Sequence, residues 1–144
     1  MASLWQEREK QLLALRERAK RGGGEARMNK QRAAGKLTAR ERLTLLFDPD
    51  TFVEIGELVE SRIDDFGMDE RRVPGDGVVI GYGRVNGRTV CASSEDFTVI
   101  GGTLGEYHSQ KICRIMDMAI DMKCPFVLIN DSGGARIEEG VASL

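Results

Sequence analysis

Asp131-Ser132-Gly133-Gly134-Ala135-Arg136 is the stretch of this sequence best suited to chemistry. Its adjacent glycines present no side chain to an approaching group, and the peptide N–H groups of 133–136 are expected to be unpaired where the chain turns into a helix. Such groups favour negative charge: a phosphate, or a thioester oxygen becoming an enolate. The same six residues also suit an ordinary strand-to-helix turn capped by Asp131 or Ser132, so on this stretch alone both uses stay open. Lys36, Arg40 and Arg42 form a second candidate, a cluster able to hold phosphates, although one exposed arginine alone would count for little. His108, the sole histidine, has no serine or cysteine at a nucleophile position beside it, so no general base is expected there. A hydrolase built on Ser132 is disfavoured, because Asn130 stands where a G-x-S-x-G elbow carries its first glycine.

These residues need a frame. The apolar run from Pro125 to Ile129 does not alternate, which predicts a strand buried on both faces, followed by the glycine loop and a short helix. Upstream, Glu106 to Met122 predicts a helix whose stripe of Ile112, Ile115, Met116, Ala119 and Ile120 faces a sheet, with Lys111, Arg114, Asp117 and Asp121 off it. Ser94 to Glu106 is a loop with its own glycine pair, Gly101-Gly102. Before it, Asn86-Gly87 between β-rich runs at 78–82 and 89–92 predicts a hairpin. Gly81-Tyr82-Gly83 is not a dinucleotide loop, since Asn86 replaces the third glycine and no helix follows. Residues 60–76 are expected as surface loop and 52–55 as a short strand. Thr38 and Glu41 form a capping box for a helix with Leu43, Leu45, Leu46 and Phe47 on its apolar side. Residues 3–20 predict a first helix, ended by Gly22-Gly23-Gly24 as a flexible joint.

The 144 residues suffice for one domain with a core. Charge is nearly balanced, 21 basic against 23 acidic residues, which argues against a general nucleic-acid footprint. The distribution is uneven: residues 1–44 hold 12 basic and 5 acidic side chains, so a basic arm precedes an acidic body. Cys91, Cys113 and Cys124 lack metal spacing; no metal site is expected, and small buried thiols in a reducing, cytoplasmic setting are. No apolar run approaches the length of a membrane span.

Five motifs then occur in a familiar order: Thr38-Ala-Arg-Glu-Arg-Leu43; Phe66-Gly-Met68; Pro74-Gly-Asp-Gly-Val-Val79; Asp96-Phe-Thr-Val99 with Gly101-Gly102; and Asp131-Ser-Gly-Gly-Ala-Arg-Ile137 with Glu139-Gly-Val141. From about Gly24 onward the chain resembles biotin-dependent acyl-CoA carboxyltransferase subunits of the propionyl-CoA carboxylase β and transcarboxylase type. The resemblance implies an α/β chain with a partial crotonase-like fold of ββα units, preceded by a helical arm. Residues 1–35 would be that arm and 36–144 an incomplete N-terminal carboxyltransferase domain. It implies an acyl-CoA substrate, no covalently bound cofactor, and carboxybiotin delivered on a partner carrier. The N–H groups of Gly133 and Gly134 would steady the enolate oxygen. Ser132, Gly133, Gly134, Ala135 and Arg136 would line the coenzyme A site, Lys36 and Arg40 would meet its phosphates, and Gly101 and Gly102 would shape its floor.

Expected partners are a biotin carrier or biotin carboxylase subunit, the remainder of the carboxyltransferase subunit, and further copies of the chain. The match covers only the first quarter to third of such subunits, so a fragment inactive alone is expected. A decarboxylase's carboxyltransferase subunit and a non-catalytic assembly module are the alternatives.

Overall fold

The fold was obtained as a computed structural model, in which residues 3–143 are described; Met1, Ala2 and Leu144, at the ends of the expected arm and final helix, lie outside the described residues. Three helices come first: α1 (Leu4–Lys20), α2 (Glu25–Ala33) and α3 (Ala39–Leu46). The Thr38 box starts α3, with the Thr38 N–H donating to Glu41 Oε2 at 2.8 Å and the Glu41 N–H returning to Thr38 Oγ1 at 3.4 Å. Then follow β1 (Val53–Ile55), a short helix α4 (Met68–Arg71), β2 (Val78–Val85), β3 (Arg88–Glu95), α5 (Glu106–Asp121) and β4 (Phe126–Ile129).

The sheet runs β1-β2-β3-β4, antiparallel except for the parallel β3–β4 pair joined through α5. β2, β3 and α5 are the expected ββα unit. Asn86 and Gly87 turn the hairpin with φ of 50° and 77°, and their N–H groups donate to the Asp48 carboxylate at 3.0 and 2.8 Å. Alternation along the strands gives each face its own core. Val79, Val90 and Ala92 pack with Ala39, Leu43 and Phe47 around α3, whereas Val78, Ile80 and Cys91 pack with Ile115 and Ala119 of α5.

Five local expectations change. The 60–76 loop contains α4, and Met68 there is fully buried. The inner side of α5 is His108, Lys111, Ile115 and Ala119, while Met116 and Ile120 are exposed, the latter at 72%. Lys111 is tolerated inside because its ammonium donates to the Gly75 carbonyl at 2.7 Å and to the Val78 carbonyl. β4 is a sheet edge, so Leu128, on the α5 side, stays 44% exposed; and of the three thiols only that of Cys91 is buried, Cys113 being exposed. The glycine joint is packed: the Gly23 N–H donates to Thr98 Oγ1 at 3.0 Å, and a Cβ at Gly23 would stand 1.8 Å from the Thr98 carbonyl oxygen.

Candidate functional site

α2, the loop after β3 and the loop after β4 enclose a cleft of about 650 Å³. Arg27, Lys30 and Lys36 supply its cationic side and Arg71 one rim; Phe97 and Ile100 are apolar, and Gly101, Gly133 and Ala135 bring bare backbone to it. Arg27 Nη1 donates to the Thr98 carbonyl at 3.3 Å, which ties α2 to the body. The Lys36 ammonium lies 4.8 Å from the centre of the Phe97 ring. Arg71 pairs with Glu138 at 2.8 Å; the Glu138 carboxyl is held below its usual range, first by its own N–H and then by Arg71.

The two glycine loops are built against each other. Gly133 N–H donates to the Gly101 carbonyl at 2.9 Å, and an isolated parallel bridge joins Leu104 to Ala135 through Leu104 N–H to Gly134 O and Arg136 N–H to Leu104 O. Gly102 has φ of 62°, and a Cβ on it would stand 2.2 Å from the Asp131 carbonyl oxygen; only glycine permits that approach. Gly134 N–H donates to Ser132 Oγ at 3.1 Å. The donors expected on Gly133 and Gly134 are therefore engaged, one by main chain and one by a neighbouring hydroxyl. Ala135 N–H has no partner among the described residues, because a parallel bridge of this kind points that group away from Leu104. Nor does an α-helix start here. Residues 137–143 form a 3₁₀ stretch interrupted at Gly140, so a helix dipole does not back the loop.

Two expected coenzyme contacts are corrected. Arg136 is completely buried, with Nη1 2.6 Å from Asp76 Oδ1 and 2.8 Å from Glu139 Oε1, and Nη2 3.0 Å from the Thr103 carbonyl. It faces no ligand. The fork satisfies its donors inside the fold, a use of arginine that six residues of sequence cannot distinguish from phosphate binding. Burial pushes the Asp76 carboxyl up despite Arg136 beside it; for Glu139 burial is outweighed by hydrogen bonds from the Glu106 N–H, Ser61 and Arg136, and its carboxyl is held down. Arg40 is bound to both oxygens of Glu54 at 3.0 and 2.7 Å, away from the cleft. Lys36, Gly101, Gly133 and Ala135 do line it, Ser132 and Gly134 line a smaller neighbouring hollow, and Gly102 is buried between the loops. Arg27, Lys30, Gln31 and Ala34 were missed, yet they fall at i, i+3, i+4 and i+7, the signature of one helix face.

The carboxyl transferase domain model matches residues 30–144, which include both glycine loops. The chain belongs to the carboxyl transferase domain family. Its relatives in that family include the propionyl-CoA carboxylase beta chain of Cereibacter sphaeroides, 56% identical over 88% of this chain and 25% of that protein. The methylmalonyl-CoA decarboxylase subunit alpha of Propionigenium modestum is 57% identical over 85% of this chain and 24% of that protein. A crystal structure of transcarboxylase 12S, a hexamer with methylmalonyl-coenzyme A bound, superposes with a TM-score of 0.94 at 48% identity over 99% of this chain and 28% of that one. The crotonase-like character of the ββα unit accords with these carboxyltransferase neighbours. The chain spans about a quarter of the length of these relatives.

Proposed function

We propose that this chain forms the coenzyme-A-binding part of a biotin-dependent acyl-CoA carboxyltransferase, acting between carboxybiotin and an acyl-CoA such as propionyl-CoA, and that it is inactive alone. The cleft carries this reading. Three cationic side chains of residues 27–36 face glycine backbone across an apolar floor, which suits a ligand with several phosphates and a long neutral arm. In this proposal Arg27, Lys30 and Lys36 meet the phosphates, Phe97 and Ile100 take the carbon-rich portion, and Gly101 and Gly133 let the chain pass close. Ala135 N–H, joined by Gly134 N–H once the Ser132 hydroxyl rotates aside, is the donor pair for a thioester oxygen gaining charge. Carboxybiotin on a partner carrier supplies the carboxyl group, and no described residue is assigned to hold it.

Residues 1–35 serve in this scheme as a basic arm on a carboxyltransferase domain of 36–144. The partners are a biotin carrier or biotin carboxylase subunit, the remainder of the subunit and further copies. A reducing compartment, the cytoplasm, fits three unpaired cysteines. Similar identity to a decarboxylase subunit favours a second reading, in which the same half-reaction runs towards decarboxylation with other partners.

Titrating the chain with coenzyme A by two-dimensional NMR tests the proposal. Saturable shifts at Lys36, Gly101, Gly133 and Ala135, weakened by salt and by Lys30→Glu, are expected. Shifts that never saturate, or that map to the α5 side of the sheet, refute the coenzyme site. Full carboxyl transfer with this chain as the sole carboxyltransferase component refutes the statement that it is inactive alone.

A further inference from the structure

Asp131 lies behind the cleft wall, and its carboxylate is where three segments of the N-terminal region converge. Gln31 Nε2 of α2 donates to Oδ2 at 2.9 Å, Lys36 Nζ of the α2–α3 link lies 2.6 Å from Oδ1, and Arg42 Nη2 of α3 donates to Oδ2. On its main-chain side, Asp131 N–H donates to Glu95 Oε2 of β3 at 2.8 Å, and its carbonyl presses on Gly102. Gln31 and Lys36 line the cleft, but Asp131 does not. One side chain thus spans the gap between the two walls without entering it.

We propose that Asp131 is a positioning residue: its carboxylate clasps residues 31–42 to the glycine loop, and so sets where Lys36 and the α2 face stand relative to Gly101 and Gly133. The charges facing it are Lys36, Arg42 and, across the main chain, Glu95. Two cations on one carboxylate leave a surplus of positive charge on the arm side. Hence the clasp fixes the cationic wall without cancelling it. An Asp131→Asn side chain has the same shape and keeps one acceptor oxygen, but it loses the charge and turns its NH2 against either Lys36 or the Gln31 and Arg42 pair, so the clasp is weakened without a cavity.

The inference bears on the cleft read above as a coenzyme A site, and its first test needs no ligand. Amide hydrogen exchange is compared for the 144-residue chain, Asp131→Asn and Asp131→Glu. Exchange in α2 and α3 about tenfold faster in Asp131→Asn, with β2 and β3 unchanged and substantial recovery in Asp131→Glu, is expected. Unchanged exchange in α2 and α3, or an equal rise through β2 and β3, overturns the clasp whether or not the chain binds coenzyme A. Absence of recovery in Asp131→Glu overturns it as well. Coenzyme A affinity is measured second. Wild type that does not bind refutes the coenzyme reading and leaves the exchange result standing. Wild type that binds, with Asp131→Asn binding equally well, refutes the positioning role.

Discussion

The first and last residues of one hexapeptide, Asp131 and Arg136, sit in opposite kinds of charge cluster. Asp131 meets Lys36, Arg42 and Gln31 at the edge of the cleft, where Lys36 keeps 45% of its side-chain exposure. Arg136 is sealed in with Asp76 and Glu139, all three buried. The outer cluster joins two parts of the chain that are far apart in sequence and reaches solvent and salt through Lys36. The inner one fills the donors of a guanidinium that would otherwise be buried unpaired, and its loss strands two carboxylates. Hydrogen bonding of similar length therefore serves placement at one end and integrity at the other.

Arg136→Met should show the largest effect. Leaving Asp76 and Glu139 without their partner is expected to cost about 3–5 kcal/mol, seen as a fall in the urea midpoint. A loss below about 1 kcal/mol would mean that the buried cluster is no more critical than a surface pair.

Lys111 sharpens the contrast, since it is a buried charge held only by carbonyls. Burial drives its ammonium down to about 8, with Glu54 and Asp76 opposing. An unfolded lysine keeps its proton to about 10.4, so between these values the unfolded chain binds more protons and stability rises with pH, by about 3 kcal/mol over the full window. Lys111→Met is expected to lack that rise. Parallel stability curves for the two chains from pH 8 to 10 would remove the charge burial from the account.

Gly102→Ala attacks the contact between the loops. Its positive φ and the 2.2 Å approach to the Asp131 carbonyl oxygen predict a loss of about 2 kcal/mol, together with displaced Asp131 and Gly133 amide resonances. Unmoved resonances would show that the loops do not bear on each other.

The smallest effect separates the clusters by solvent. At 1 M salt the screening length falls to about 3 Å, so exchange of α2 amides should quicken a few-fold while amides around Arg136 do not respond. Acid acts on both clusters, since the Glu139 carboxyl of the inner one is also held below its usual range. For Asp131, burial acts upwards but is outweighed by Lys36 and Arg42, and the carboxyl is held below its usual range. Its contribution is complete above the unfolded value near 3.9 and is lost as pH falls through the lower folded value.

Much of this was legible in local sequence because the physics was local. The hairpin followed from Asn86-Gly87, the start of α3 from Thr38 and Glu41, and α5 from its period, each decided by residues within a few positions of one another. The α2 face of the cleft was missed, although Arg27, Lys30, Gln31 and Ala34 have helical spacing, since the loop that gives this face its meaning lies some 100 residues away, as Gln31 and Asp131 do.

By itself the sequence determined the family pattern, the hairpin, the capped start of α3 and the two glycine loops, because turn chemistry, capping and periodicity act between near neighbours. Only the tertiary structure decided which charges are spent. Arg40 is consumed by Glu54 and Arg136 by Asp76 and Glu139, Gly133 N–H is taken by Gly101, and Ala135 N–H is left over. Whether a charge or an amide remains for a ligand depends on what folding brings within about 3 Å of it, and that distance is set by packing across the chain.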